Sequence, residues 1–146
     1  MKSADNMFDK HRTMHTHPIR VYYEDTDLAG IVYYANYLKF IERGRSEYLR
    51  ALGIDQVALK RDVGIVFAVR RVTLDYVAPA LFDDLLSVTT RVTAVSGARL
   101  ALAQDVRRGT DLLVRAEVTL IAMTGAGRPT RLPADLRARL GLPARG

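Results

Sequence analysis

The chain has 146 residues, which suggests a single domain, and its 49% hydrophobic content is enough for a core without covalent cross-links. It contains no cysteine, which excludes disulfides, a thiolate nucleophile and a cysteine-based metal site. The net charge of +6 is spread along the chain without a dense basic run. This distribution argues against nucleic-acid binding and fits a phosphate-rich ligand better.

The sequence shows no pattern typical of a membrane span or of an N-terminal secretory signal. No segment approaches the roughly 20 apolar residues of a membrane span, and residues 1–18 lack the apolar centre of a secretory signal. We therefore expect a cytoplasmic protein without membrane insertion, with a flexible tail over residues 1–16 and one domain over residues 17–146. His11, His15 and His17 are interpreted as exposed histidines rather than metal ligands, because no carboxylate is spaced to complete a site.

The first half of the chain predicts one strand and one long helix. Residues 19–23 alternate as a strand, and a loop over residues 24–36 follows with Gly30 at its middle. A helix is predicted from residue 34 or 36 to residue 52, with Gly53 just past its end. Its apolar residues fall on one face, so most of the helix should be buried. The predicted face consists of Tyr37, Ile41, Gly44, Tyr48 and Leu52, broadened by Leu38, Phe40 and Leu49.

The second half changes to the period of two that is typical of strands. Four strands are predicted over residues 64–77, 85–95, 99–107 and 112–123, and a short helix over residues 134–140. Tight turns between the last three strands indicate an antiparallel meander. The simplest architecture is an α+β fold in which a five-stranded antiparallel sheet wraps around one central helix. Such a sheet has open edges, which favours oligomerisation.

The segment over residues 21–37 carries the chemistry. It places acidic residues and a glycine in a turn between a strand and an apolar helix. A carboxylate at this place can attack a carbonyl or activate water. The free N–H groups at the helix start can then stabilise the oxyanion that forms.

Residues 23–34, Tyr-Glu-Asp-Thr-Asp-Leu-Ala-Gly-Ile-Val-Tyr-Tyr, followed by Asn36 and Tyr37, resemble the signature of hotdog-fold acyl-CoA thioesterases. The similarity is greatest to the 4-hydroxybenzoyl-CoA thioesterase family, and within it to the YbgC-like branch associated with the bacterial Tol-Pal system. It extends over residues 18–135, including residues 40–47, 69–76, 78–80, 128–129 and 132–133.

The resemblance implies hydrolysis of an acyl-CoA to the free acid and CoA, without a metal or another cofactor. It implies that Asp27 is the nucleophile or the general base, and that the backbone N–H of Tyr34 is the oxyanion donor. The matching pocket positions are Tyr23, Gly30, Val32 and Tyr33. Candidate arginines for CoA are Arg70, Arg71 and Arg128. The family also implies a homodimer or a homotetramer with sites at the dimer interface, and a link to envelope or lipid-metabolism proteins.

Tyr34 departs from the pattern of the Tol-Pal-associated branch, which usually carries histidine at this position. Tyrosine there resembles the 4-hydroxybenzoyl-CoA enzyme instead. A tyrosine cannot readily move protons near pH 7, so catalysis should depend more fully on Asp27. The substrate therefore stays open between a short aliphatic and an aromatic acyl-CoA.

Two other functions remain as alternatives. A hotdog dehydratase or hydratase would place a histidine with an acid at the site, and the histidines of this chain all lie near its N-terminus. A non-catalytic acyl-binding or scaffold subunit would not need Asp27 within an intact motif.

Overall fold

The computed structural model describes residues 14–140, and these form a five-stranded antiparallel sheet with one long helix packed against one of its faces. The strands are β1 (His15–Arg20), β2 (Ile65–Tyr76), β3 (Leu85–Ser96), β4 (Arg99–Arg108) and β5 (Asp111–Thr124). The strand order in the sheet is β1-β3-β4-β5-β2, so β1 and β2 are its edges. The predicted α+β class and the antiparallel meander are confirmed. The helices are α1 (Asn36–Ala51), α2 (Gln56–Ala58) and α3 (Ala134–Arg139), and a π-helical turn covers Leu59–Val63.

The first strand begins earlier than the sequence predicted. His15 and Thr16, assigned to the flexible tail, pair with Thr90 and Thr89 of β3, and the strand ends at Arg20. The alternation in this segment is weak because polar residues sit at both kinds of position, so pairing with β3 decides its structure. His11 lies outside the described residues. The limits proposed for the tail and the domain otherwise remain predictions.

Helix α1 approaches the sheet closely at Gly44. A Cβ atom at this position would lie 2.5 Å from Cγ1 of Val88, so only glycine lets the helix rest on β3 here. The predicted buried face is largely confirmed, with Tyr37, Ile41 and Tyr48 all buried. Leu38 was wrongly placed on this face, because its side chain is 42% exposed.

A buried polar cluster beneath α1 was not predicted. Gln104 lies opposite Thr90 in the sheet, and its side-chain amide donates to the Thr90 hydroxyl at 2.9 Å and to the carbonyl of Ile41 at 2.8 Å. The guanidinium of Arg45 donates in turn to Gln104 Oε1 at 3.1 Å. Burial lowers the pKa of Arg45, although nearby Glu42 opposes this effect. These bonds tie the middle of the helix to the sheet.

The two sheet edges differ in length. Strand β2 spans 12 residues and β1 only 6. Exposed apolar side chains on β2 include Val69 and Tyr76. No helix within residues 14–140 is long and apolar enough to cross a membrane.

Candidate active site

The loop between β1 and α1 is organised around Asp25. Its carboxylate accepts a 2.8 Å hydrogen bond from the N–H of Tyr22, which closes a short 3₁₀ turn over Tyr23–Asp25. The backbone carbonyl of Asp25 accepts a hydrogen bond from the N–H of Tyr33 at 2.9 Å. The sequence suggested a turn or surface carboxylate. Asp25 is a turn carboxylate, but it is buried, at 8% exposure, and it holds the two ends of the loop together.

Asp27 lies at the tip of this loop, in a tight turn. Its N–H donates to the carbonyl of Ile31 at 2.9 Å, and its carbonyl accepts the N–H of Gly30 at 3.0 Å. One carboxylate oxygen, Oδ1, accepts the N–H of Ala29 at 2.9 Å. Gly30, at the middle of the predicted loop, has a φ of +80°, a backbone conformation that glycine adopts without strain and that lets the chain reverse here. The turn therefore orients an exposed carboxylate, and Oδ2 makes no hydrogen bond to residues 14–140.

The start of α1 leaves backbone donors unpaired. The helix begins at Asn36, the later of the two predicted starts, and Ala35 before it provides no side-chain cap. No acidic residue lies in the first turn to neutralise the helix dipole. The N–H of Asn36 donates to Tyr33, but within the described chain the N–H groups of Tyr34 and Ala35 have no hydrogen-bond acceptor. Such a helix start can bind an anion or an oxyanion.

An apolar cleft of about 290 Å³ adjoins the helix start. Two of the residues that line it, Tyr34 and Tyr76, approach edge to face, with ring centroids 6.2 Å apart. The hydroxyl of Tyr76 donates to the Tyr34 carbonyl at 3.2 Å. The cleft is lined by Ile31, Val32, Tyr34, Tyr37, Tyr76, Val77, Ala78 and Pro79.

The predicted pocket residues lie around this cleft in different ways. Val32 lines it and is 3% exposed. Gly30 and Tyr33 do not line the cleft, but each is adjacent in sequence to a residue that does. The Tyr33 ring contacts that of Tyr34, with centroids 4.9 Å apart. Tyr23 does not line the cleft, because its exposed ring packs edge-on against Phe82.

Two polar contacts that the sequence did not reveal hold the wall of the cleft in place. The hydroxyl of Tyr37 accepts the N–H of Ala80 at 2.9 Å, and the guanidinium of Arg108 donates to Asp84 at 2.7 Å. Burial alone would raise the pKa of Asp84, but hydrogen bonds from the Leu81 N–H and from Arg108 lower it below its usual value. These contacts connect α1 and β4 to the segment between β2 and β3.

The candidate arginines lie far from the cleft. Arg70 sits at a bulge in β2 and lines a second cavity of about 440 Å³ together with Arg99 and Pro129. Pro129 follows Arg128 in the chain, so Arg70 and the Arg128 segment lie at the same end of the sheet. Arg71 lies opposite Thr119 and is exposed. Arg70 and Tyr76 are six positions apart along β2, a distance of roughly 20 Å.

Residues 14–140 contain no group of three histidine, aspartate or glutamate side chains close enough to hold an ion. His15 and His17 both lie on β1.

Comparison with known proteins decides the family. The profile described as thioesterase superfamily matches residues 29–115.

The chain belongs to this superfamily.

The acyl-CoA thioesterase YbgC of Haemophilus influenzae is 42% identical over 83% of this chain and 90% of that protein. The acyl-CoA thioester hydrolase YbgC of Escherichia coli O6:H1 is 39% identical over 86% of this chain and 95% of that protein. A probable thioesterase from Bartonella henselae, 40% identical, matches the structure with a TM-score of 0.79 over 82% of this chain and 99% of the other. The predicted YbgC-like family, the hotdog fold and the enzyme class of thioester hydrolase are confirmed.

Proposed function

We propose that this member of the thioesterase superfamily hydrolyses an acyl-CoA to the free acid and CoA, with Asp27 as its catalytic carboxylate. One observation carries the proposal. The turn that orients the Asp27 carboxylate leads within seven residues to a helix start with unpaired N–H groups, and an apolar cleft lies beside it. A thioester carbonyl needs both an anionic attacker and an oxyanion donor, and an apolar cleft suits its acyl chain. The relatives named as acyl-CoA thioesterases support the same reaction.

Asp27 has two possible roles in this reaction. As a nucleophile, its carboxylate attacks the thioester carbon and expels the CoA thiolate, and water then hydrolyses the resulting acyl–aspartyl anhydride. As a general base, it removes a proton from a water molecule that attacks the same carbon, and the thiolate leaves when the tetrahedral intermediate collapses. The exposed carboxylate and its hydrogen bond from Ala29 are compatible with both roles.

The oxyanion of the tetrahedral intermediate would be bound at the start of α1. The Tyr34 N–H is the proposed donor, and the positive end of the helix dipole adds to its effect. This donor belongs to the backbone, so the change from histidine to tyrosine at this position leaves it in place. The Tyr34 side chain lines the cleft instead and would select the acyl group.

The substrate is proposed as a short-chain or aromatic acyl-CoA. A cleft of about 290 Å³ lined by three tyrosines suits a compact acyl group. For the CoA phosphates we propose Arg70, Arg71 and Arg128, supported by the cavity that Arg70 shares with Arg99. The separation of roughly 20 Å along β2 requires an extended leaving group such as CoA.

Assembly, location and cofactor use are further parts of the proposal. A homodimer or homotetramer is supported by the long, partly apolar β2 edge. A cytoplasmic enzyme without metal or other cofactor, with a link to envelope or lipid-metabolism proteins, remains a prediction from the sequence and its family.

The alternatives are less well supported. A dehydratase or hydratase would need a histidine near Asp27, whereas His15 and His17 lie on the edge strand β1. A scaffold subunit would not require a carboxylate oriented beside unpaired helix N–H groups.

The test is turnover of a panel of aliphatic and aromatic acyl-CoA thioesters by the parent protein and by Asp27→Asn. We expect the substitution to lower kcat by a factor on the order of 10³ or more while the fold is retained. Asp25→Asn is the matched control. It keeps an oxygen that can accept the Tyr22 N–H, so its effect should be far milder. An Asp27→Asn protein within a few-fold of the parent would refute the catalytic assignment, and a parent inactive on the whole panel would favour the scaffold alternative.

A further inference from the structure

Tyr76 lies within the stretch that resembles the family, but the motif around Asp27 assigns it no role. It is the last residue of β2, and its ring lies in the cleft between those of Tyr34 and Tyr37, with centroid distances of 6.2 and 5.7 Å. The side chain is 49% exposed, so half of its surface faces the cleft and solvent. A tyrosine at a strand end often serves packing alone, but here its hydroxyl has a specific acceptor.

That acceptor is the carbonyl oxygen of Tyr34. The Tyr76 hydroxyl donates to it at 3.2 Å. The other donor to this carbonyl is the N–H of Tyr37, at a longer 3.4 Å. The first turn of α1 therefore holds this carbonyl only weakly, and the side chain from β2 provides the shorter bond.

The carbonyl of Tyr34 and the N–H of Ala35 belong to one planar peptide unit. A hydrogen bond to the oxygen fixes the orientation of the whole plane. It also restrains the backbone rotation at Tyr34, which links this plane to the one that carries the Tyr34 N–H. Hydrogen bonding to the carbonyl also polarises this peptide, which makes the Ala35 N–H, the second unpaired donor at the helix start, a stronger donor.

We propose that Tyr76 is a positioning residue for the oxyanion site, because its hydroxyl holds the Tyr34–Ala35 peptide at the start of α1 and so restrains the backbone rotation that orients the Tyr34 N–H. This inference rests on the proposed function, in which the Tyr34 N–H receives the oxyanion. The ring of Tyr76 also forms a wall of the acyl cleft. Burial and the neighbouring Tyr34 raise the pKa of Tyr76 above its ordinary value, at which a phenol is already protonated and able to donate near neutral pH.

The first experiment separates the hydroxyl from the ring. Tyr76→Phe keeps the ring and removes only the donor. We expect kcat to fall about 3- to 10-fold, in line with the loss of one hydrogen bond, while KM changes less than twofold and the melting temperature stays close to that of the parent. Tyr22→Phe is the matched control. The Tyr22 hydroxyl makes no hydrogen bond to residues 14–140 and does not line the cleft, so its loss should change neither constant.

The second experiment observes the peptide directly. Tyr34–Ala35 is the only Tyr–Ala step in the sequence, so protein labelled with ¹³C-carbonyl tyrosine and ¹⁵N-alanine gives a single correlated resonance for this peptide. Loss of the hydroxyl should shift the Tyr34 carbonyl and Ala35 nitrogen resonances in Tyr76→Phe and leave them unmoved in Tyr22→Phe. A purely packing role for Tyr76 would not produce this pattern.

The outcomes are distinct from those for the proposed function. A shifted resonance with lower kcat and unchanged KM supports the inference. An unshifted resonance, an unchanged kcat, or a loss of activity that only follows a lower melting temperature overturns it. If Asp27→Asn abolishes turnover while Tyr76→Phe does not reduce it, the proposed function stands and the role of Tyr76 is refuted. If Asp27→Asn stays active, the assignment of Asp27 as the catalytic carboxylate is refuted, whatever Tyr76→Phe shows.

Discussion

The side-chain amide of Asn36 donates a 2.9 Å hydrogen bond to the backbone carbonyl of Asp25. Asn36 is the first residue of α1, and Asp25 organises the loop that carries Asp27. The bond therefore joins the proposed oxyanion site and the proposed catalytic carboxylate into one unit. The distance between these two groups depends on contacts of this kind as well as on the chain that links them.

Asn36→Ala should reduce both activity and stability. Removing the amide leaves the Asp25 carbonyl with one bond instead of two, which should cost about 1 kcal/mol of unfolding free energy and lower kcat roughly 3- to 10-fold. Lys39→Ala, on the exposed side of the same helix, is the control. Steady-state kinetics and thermal melts of both variants provide the measurement. Equal kcat values for the two variants would show that the link is not needed for catalysis.

Tyr34→Pro tests the oxyanion donor without touching a hydrogen bond that the fold uses. The Tyr34 N–H has no acceptor within residues 14–140, so proline breaks no backbone hydrogen bond of the described fold when it removes this donor, although it also removes the Tyr34 ring from the cleft. Losing such a donor typically costs about 10²–10³ in rate, so kcat should fall by that factor. Tyr34→His keeps the N–H and should remain active, with a changed preference between aliphatic and aromatic substrates. Circular dichroism checks folding, and a folded proline variant with near-parental kcat would refute the donor role.

The β2 edge should mediate self-association. Its 12 residues offer unpaired backbone groups together with exposed Val69 and Tyr76, and antiparallel pairing with a second copy would cover them. Sedimentation at micromolar concentration should give at least twice the monomer mass of 16.3 kDa. Val69→Lys should weaken this association, whereas Thr16→Lys on the opposite edge should not. A parent protein that sediments only as a monomer would contradict this assembly.

Gly44→Ala should destabilise the protein because the added methyl group meets Val88 at 2.5 Å. Overpacking of this kind costs about 1–3 kcal/mol, measurable by urea unfolding. In a Val88→Ala background the penalty should shrink, and the double-mutant cycle would show that the two residues are coupled. Gly125→Ala has no atom within 4 Å of the added carbon, so its effect should be small. If the effects of Gly44→Ala and Val88→Ala on the free energy of unfolding are additive, the contact with Val88 is not what destabilises Gly44→Ala.

The sequence alone determined the elements whose signals are local. The period of residues 37–49 predicted a buried helix, and glycines at the turns separated the strands to within a residue or two. The motif around Asp27 and its extended resemblance were sufficient to predict the family. These features depend on spacing along the chain, which a sequence displays directly.

Tertiary structure decided what depends on partners distant in sequence. The strand character of His15 comes from pairing with β3, and the burial of Arg45 depends on Gln104, 59 residues away. The bond from Tyr76 to Tyr34 spans 42 residues. In each case the local sequence is compatible with an exposed polar or aromatic residue. For Arg45 the reason is that a buried polar group needs a hydrogen-bonding partner, which only the folded sheet brings to it. The roles of His15 and Tyr76 are decided by backbone pairing with β3 and by the approach of β2 to the helix start.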